Sequence, residues 1–205
     1  MYNNADFKAK THQEIIDFMY QNPFVILCGV DANQKPVATH IPVIIEQRNE
    51  QVFLLAHIMK KQLHTIAFEN NANVLAIFSA AHSYISATNY AQQNTASTWN
   101  YQAVHASGTI KFLGEKDLHN ILATLTKKFE NNPNSAALVD KMDTIYLTKL
   151  MKAIVAFEIE ITNMEHVFKL SQNKDAATQT KIIDTLEKSE NVSQSEVAKA
   201  MKNYL

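Results

Sequence analysis

Two short stretches of this 205-residue chain carry residue types that could do chemistry. The first is "AHIMKKQ", residues 56–62. An apolar strand ends there, and His57, Lys60, Lys61 and Gln62 follow at once as a helix begins. Backbone N–H groups at a helix start favour an anion, whereas two lysines there oppose the helix dipole. A bound anion would resolve that conflict. Simple solvation of both ammonium groups is the alternative. The second stretch is "TWNYQAVHASG", residues 98–108, which holds Trp99, Asn100, Tyr101, His105 and Gly108. Asn100, with the amides of the nearby polar loop "AQQNTAS", could hydrogen-bond a heteroaromatic ring, and Trp99 and Tyr101 could cover its face. The alternative is a pair of core anchors with satisfied polar tips.

Other chemistry is poorly served. Three glycines in the whole chain leave no GxGxxG and no P-loop. No CxxC or HExxH occurs, and the eight histidines lack carboxylates or thiols at ligand spacing, so no metal site is expected. Solvation or ordinary hydrogen bonding accounts for His12, His64, His119 and His166. Cys28, the single cysteine, lies mid-strand in "FVILCGV" and reads as an inert apolar filler.

The elements that must position these residues follow from periodicity. "THQEIIDFMYQNP" opens on a capping box, Thr11 and Glu14, and reads as a short amphipathic helix that stops at Pro23. "FVILCGV" is a buried strand and "DANQKP" a turn. "VATHIPVII" and "QVFLLAHI" are two more strands, which suggests an antiparallel meander. "KKQLHTIAFENN" places Leu63, Ile66 and Ala67 on one helical face. "NVLAIFSA", "HSYISATNY", "YQAVHASGTIKFL" and "AIVAFEIEIT" complete about seven strands. "EKDLHNILATLTKKFENN" and "DTIYLTKLMK" are helices inserted between strands, the first with Leu118, Ile121, Leu122, Leu125 and Phe129 at helical spacing. From about residue 175 two short helices follow, the second opening at a capping box of Ser193 and Glu196. The expectation is an α+β domain around a closed or nearly closed antiparallel barrel.

Composition bounds the rest. Hydrophobic residues make up 46% and charged residues 19%, as in a soluble globular domain. A net charge of -1 advertises neither nucleic acid nor an acidic partner. A lone cysteine, no signal peptide and no apolar run of membrane length suggest a cytoplasmic setting.

Taken in order, "MY" followed by Phe7, then "THIP", "AHIMKK", "HSYISATNY", "STWNYQAVHASGTIKF" and "FKLSQNK" resemble the PaiB family of FMN-binding negative transcriptional regulators. Its wider relatives are the pyridoxamine-phosphate-oxidase-like split barrels. The resemblance covers nearly the whole chain, and "TWNYxxVHAxG" and "KLSQN" are its specific motifs. It implies an antiparallel FMN-binding split β-barrel over residues 1–174, with flanking helices and a C-terminal helix pair, residues 175–205, packed on it. It also implies a homodimer with FMN in a cleft between subunits. Carried over, Lys60 matches the basic residue that faces the FMN phosphate, with Lys61 and Gln62 beside it. His57 matches the histidine at that strand end, and Thr39 and His40 the strand near the flavin. Trp99, Asn100 and Tyr101 match the motif at the isoalloxazine ring or the dimer seam. Lys169, Ser171 and Gln172 match a motif reaching the partner subunit's flavin. The sequence departs from the family pattern at Gln62-Leu63, where Asn-Pro is usual, at Ala87 and Asn89, where Pro and Trp are usual, and at Phe168, where Trp is usual.

Two functions fit: a flavin-dependent regulator or sensor, and an FMN-dependent oxidoreductase acting on a small molecule. The histidines are the only evident acids or bases, and a flavin carries redox chemistry itself. A third reading, a DNA-binding C-terminal helix pair, sets Glu187, Glu190 and Glu196 against Lys181, Lys188, Lys199 and Lys202, a poor balance for a phosphate-facing surface.

Overall fold

A computed structural model describes residues 1–91 and 94–204. The loop amides of Gln92 and Gln93, and the terminal Leu205, lie outside the described residues. In chain order the elements are α1 (His12–Gln21), β1 (Phe24–Val30), β2 (Pro36–Pro42), β3 (Ile44–Arg48), β4 (Gln51–Met59), α2 (Leu63–Asn70), β5 (Asn73–Ile85), β6 (Thr98–Phe112), α3 (Glu115–Glu130), α4 (Thr144–Ala153), β7 (Ile154–Lys169), α5 (Ala176–Glu187) and α6 (Val192–Lys202). The strands form one seven-stranded antiparallel sheet in the order β2-β1-β5-β6-β7-β4-β3. This is the α+β architecture expected. Among the described residues, no helix is long and apolar enough to cross a membrane.

The strand count agrees with expectation, but two boundaries move in compensating directions. "VATHIPVII" is two strands. β2 pairs with β1, Leu27 opposite Thr39, whereas β3 pairs with β4, Ile44 opposite Leu55. Val43 alone separates them, so one residue links the two edges of the sheet order. The expected meander is thus two hairpins at opposite ends of that order. Conversely, "NVLAIFSA" and "HSYI" fuse into one strand, β5. β1 is less buried than its apolar run suggests: Val25 and Leu27 are fully buried, while Phe24 is exposed.

The chain divides into two compact units. One holds Met1–Asn22, Ser79–His105 and Glu165–Leu205; the other holds Pro23–Phe78 and Ala106–Met164. We call them the first and second units. In the first, α1 is capped by Thr11, whose Oγ1 accepts from Glu14 N at 3.2 Å. Glu14 reaches back one residue further than the capping box requires, accepting from Lys10 N at 2.6 Å. Ile15, Ile16, Phe18 and Met19 are buried. The helix pair buries Ile182, Ile183, Leu186, Val197, Ala198 and Met201 against Ile85 and Leu170. Ser193 does not cap α6; Asn191 does. Ser193 Oγ instead donates to His82 O at 2.7 Å and accepts from His82 N at 3.2 Å, pinning α6 to β5.

In the second unit, Leu118, Ile121 and Leu125 of α3 pack with Ile44, Leu55 and Ala156. Phe129, at the end of that stripe, is exposed. Of the expected face of Leu63, Ile66 and Ala67, α2 buries Ala67 alone. Thr65, Ala67 and Phe68 turn inward, and Leu63 and Ile66 stand exposed. The reason lies in what α2 packs against. Thr65 Oγ1 donates to Met59 O at 2.7 Å, and the Phe68 ring lies where a Cβ on Gly29 would come within 2.7 Å of it. Gly108 is required on similar grounds, because a Cβ there would meet Glu160 O at 2.3 Å.

Candidate functional site

The candidate residues fall into two groups, one on each unit. In the second unit His57, Lys60, Lys61 and Gln62 follow one another where β4 runs into α2, while Thr39 and His40 lie on β2. β4 pairs with β7, His57 opposite Ala156 and Met59 opposite Ile154. The ladder closes with Lys60 N donating to Ala153 O at 2.8 Å. Lys61 then takes a left-handed conformation, φ 61°, which turns the chain into the helix. Gln62 occupies the N-cap of α2 but makes no side-chain hydrogen bond there. Among the described residues α2 is the α-helix with neither a side-chain cap nor an acid in its first turn. α1, α4, α5 and α6 are capped by Thr11, Asp143, Asp175 and Asn191, and α3 opens with Glu115 and Asp117. Lys60, Lys61 and Gln62 are exposed, and neither lysine has an ion pair among the described residues.

His57 is half-buried at the end of β4. Its Nδ1 is buried without a hydrogen-bond partner among the described residues, and burial holds the imidazole below its ordinary pKa. A buried polar atom without a protein partner is uncommon in a folded chain. Thr39 is half-buried and His40 exposed on β2, where the His40 ring lies 6.1 Å from that of Phe24. Cys28 is partly buried, and burial pushes its thiol pKa up, the direction of an unreactive thiol.

In the first unit the motif residues mostly bond to each other. Asn100 is fully buried. Its amide nitrogen donates to Ser171 Oγ at 2.9 Å and to Met201 Sδ at 3.4 Å, and its oxygen accepts from Ser171 Oγ at 3.1 Å. Ser171 is itself buried and left-handed, φ 66°. Gln172 folds back on its own turn, its Oε1 accepting from Leu170 N at 2.8 Å. Lys169 donates to Thr98 Oγ1 and lies 5.7 Å from the Phe7 ring, and partial burial lowers its pKa. Trp99 and Tyr101 differ from these. Trp99 is 52% exposed, and with Tyr101 it lines a shallow apolar cavity of about 290 Å³ together with His82 and Gln102.

His82 and Tyr84 belong to this surface and were not singled out in the sequence. Their rings lie 5.8 and 5.9 Å from that of Trp99. The available signal was their i, i+2 spacing, which puts both on one face of β5. The departures also find places. Asn89 is buried, its Oδ1 accepting from Thr185 Oγ1 at 2.9 Å. Phe168 is buried with its ring 5.0 Å from Phe18. Among the described residues, no cluster of three or more His, Cys, Asp or Glu is assembled.

A family model described as "Putative FMN-binding domain" matches residues 1–163. The protease synthase and sporulation protein PAI 2 of Bacillus subtilis (strain 168) is 30% identical over 205 residues, spanning 100% of this chain and 98% of that protein. The chain belongs to the PaiB-like FMN-binding family. Solved structures far more distant in sequence share its fold. The FAD and heme binding protein from Mycobacterium smegmatis gives a TM-score of 0.60 at 18% identity, covering 84% of this chain and 78% of that one. The conserved hypothetical protein Rv2991 from Mycobacterium tuberculosis gives 0.57 at 11% identity, covering 82% and 90%. In this PaiB-like chain the family's two specific motifs are thus bonded to each other. "TWNYxxVHAxG" and "KLSQN" meet through Asn100 and Ser171, whereas the lysines of "AHIMKK" have no ion pair among the described residues.

Proposed function

We propose that this protein binds FMN as a cytoplasmic homodimer and acts as a flavin-dependent regulator or sensor. The observation that carries the reading is the start of α2. An uncapped helix terminus without an acid offers backbone N–H groups, and it is flanked by Lys60 and Lys61, which have no ion pair among the described residues. That donor set suits a phosphate dianion. His57, with Nδ1 unpartnered three residues upstream of Lys60, suits a polar atom of the same ligand. Thr39 and His40 are assigned to the flavin by family resemblance alone. In the first unit, Trp99 and Tyr101 are assigned to the isoalloxazine ring or the dimer seam by family resemblance alone. Asn100, Ser171 and Gln172 support that pair from within, since their polar groups are already bonded. When bound, the flavin would supply the redox chemistry. The regulatory role follows the family; an FMN-dependent oxidoreductase remains the second reading.

The test compares FMN with riboflavin, which lacks the phosphate, on wild type and Lys60→Ala. A charge-assisted hydrogen bond is worth roughly 1.5–3 kcal/mol, so FMN affinity should fall about ten-fold or more while riboflavin affinity stays put. Equal losses for both ligands would make Lys60 a support of the site's shape. No FMN binding by wild type at micromolar concentration would end the flavin reading. Light scattering that reports the 23.2 kDa monomer with FMN bound would end the dimer.

A further inference from the structure

The first unit contains a cavity of about 540 Å³ to which α1, β5, β6, β7 and α6 all contribute, and none of the residues assigned to the flavin lines it. Small-molecule sites occupy roughly 300–1,000 Å³, so the space suits a compact ligand. Its apolar lining comes from Phe18, Phe168 and Val197, which are buried, and from Ala80, Ala81 and Ala200, whose single methyl groups leave the space open. The backbone explains why two neighbouring alanines both line it. Burial along β5 alternates through Val74, Ala76 and Phe78 and resumes at Ser83 and Ile85 with its phase changed, so Ala80 and Ala81 lie where the strand switches faces. The shallow cavity at Trp99, the only tryptophan, shares Ala80 and Gln102 with this one.

Glu14 supplies the charge. It is half-buried, and both of its carboxylate oxygens are fixed: Oε2 accepts from Lys10 N at 2.6 Å, and Oε1 accepts from the hydroxyl of Tyr204. Burial, and then the bond to Glu14, push the Tyr204 phenol pKa far up, so the hydroxyl stays protonated and keeps donating. Asp17 follows one turn later on the same side of α1 and lines the same space, its Oδ1 accepting from Gln13 Nε2 at 2.8 Å. Two cations stand near. Lys199 is paired with Glu196 at 2.6 Å, and Lys10 Nζ lies 4.8 Å from the centre of the Tyr204 ring. Neither makes an ion pair with Glu14 or Asp17. Gln21, Gln102 and Asn203 also line the cavity, and their side-chain amides make no hydrogen bond among the described residues.

A carboxylate held in place by two donors, with no cation paired to it, is pre-organised for a positive head group. A metal ion is a poor fit, because among the described residues no three His, Cys, Asp or Glu side chains come together to hold one. An organic cation with N–H donors fits better. The amide oxygens of Gln21, Gln102 and Asn203 can accept further donors, and the buried apolar lining suits a short hydrocarbon stem. We propose that this cavity binds a small protonated amine, its ammonium donating to Glu14 and Asp17 and its stem lying against Phe18, Phe168 and Val197. The site stands independently of the flavin.

The experiment uses the full chain as wild type, Glu14→Gln, Asp17→Asn and Ala200→Leu. Melting temperature and Trp99 emission are followed against n-butylamine, with n-butanol and butyrate as neutral and anionic matches and N-acetyl-lysine amide as a stand-in for a protein side chain. Each variant is compared with its own ligand-free state. Butylamine should raise the melting temperature of wild type and move the Trp99 emission, and butanol and butyrate should do neither. Losing the charge in Glu14→Gln should weaken butylamine about ten-fold, and Asp17→Asn, at an exposed position, about three-fold. Ala200→Leu fills the space and should abolish the response with both carboxylates intact. Should Glu14→Gln not fold, Asp17→Asn and Ala200→Leu decide between the same outcomes. Equal stabilisation by butanol overturns the cation site. A full response in Ala200→Leu, or in the carboxylate variants, overturns its location. A response to N-acetyl-lysine amide without one to butylamine overturns the small ligand in favour of a protein partner. A wild type indifferent to millimolar butylamine overturns the proposal outright.

Discussion

Asn100 and Lys60 were both nominated by motifs of the same family, yet they are opposite kinds of residue. Asn100 is fully buried, and its amide is engaged by Ser171 and Met201. Lys60 is exposed, its backbone holds the end of a ladder, and its ammonium has no ion-pair partner among the described residues. A motif can be specific because its residues hold a ligand, or because they hold one another. A buried amide needs its partners, since an unsatisfied polar group in the core costs about as much as a large packing defect. An exposed lysine needs nothing from the fold. The first kind should register in stability and the second in affinity.

The largest effect that separates them is Asn100→Ala. It removes the amide that both donates to and accepts from Ser171 Oγ and leaves a small cavity, so unfolding free energy should fall by about 2–3 kcal/mol. Urea denaturation checks this. A loss below about 0.5 kcal/mol together with abolished flavin binding would move Asn100 into the class of Lys60.

Ser193→Ala probes the first unit more gently. Its hydroxyl bridges both backbone groups of His82, and its loss should cost about 1 kcal/mol. Because His82 neighbours Trp99, indole fluorescence should also shift. Unchanged emission would mean that the aromatic surface is held without α6.

Lys61→Gly sharpens the second unit. Glycine relieves the left-handed backbone at φ 61° but loosens the unfolded chain, so stability should stay within about 0.5 kcal/mol of wild type. FMN affinity should fall nonetheless. A stability loss with affinity intact would make Lys61 a structural residue.

The smallest effect is read as a slope against pH. Burial lowers the pKa of His57 below the ordinary imidazole value of 6.5. In the window between the lowered native value and 6.5, the unfolded chain binds the proton and the native chain does not. Stability should therefore be full above pH 6.5 and fall as the pH drops through that window. His64, His105 and His166 are shifted the same way and add to the slope. Melting temperatures from pH 7.5 down to pH 5.5 should show a shallower decline for His57→Gln than for wild type. Identical slopes would remove His57 from the account.

Some of this was readable before any coordinates. The cap at Thr11, the turn at Asp31 and the stripe of Leu118, Ile121 and Leu125 are local or periodic features, decided within a few residues by hydrogen bonding or by one helical face. The helix start at Lys60–Gln62 was legible for the same reason, since its missing cap and misplaced charges are neighbours in the chain. Ser193 shows where local rules stop: spacing made it a cap, but a bond to His82, 111 residues away, claimed its hydroxyl. Likewise Leu63 and Ile66 had the right spacing to be buried, and only the neighbourhood of Gly29 and Met59 turned Thr65 and Phe68 inward instead. Asn100 and Ser171 lie 71 residues apart, so nothing in either motif could say that each was the other's partner. The sequence by itself determined which groups were polar, charged or aromatic and which short segments would form helix or strand, because those depend on neighbours along the chain. Only the tertiary structure decided which polar groups are spent on the fold and which stay exposed, because a hydrogen bond is allotted by proximity in space.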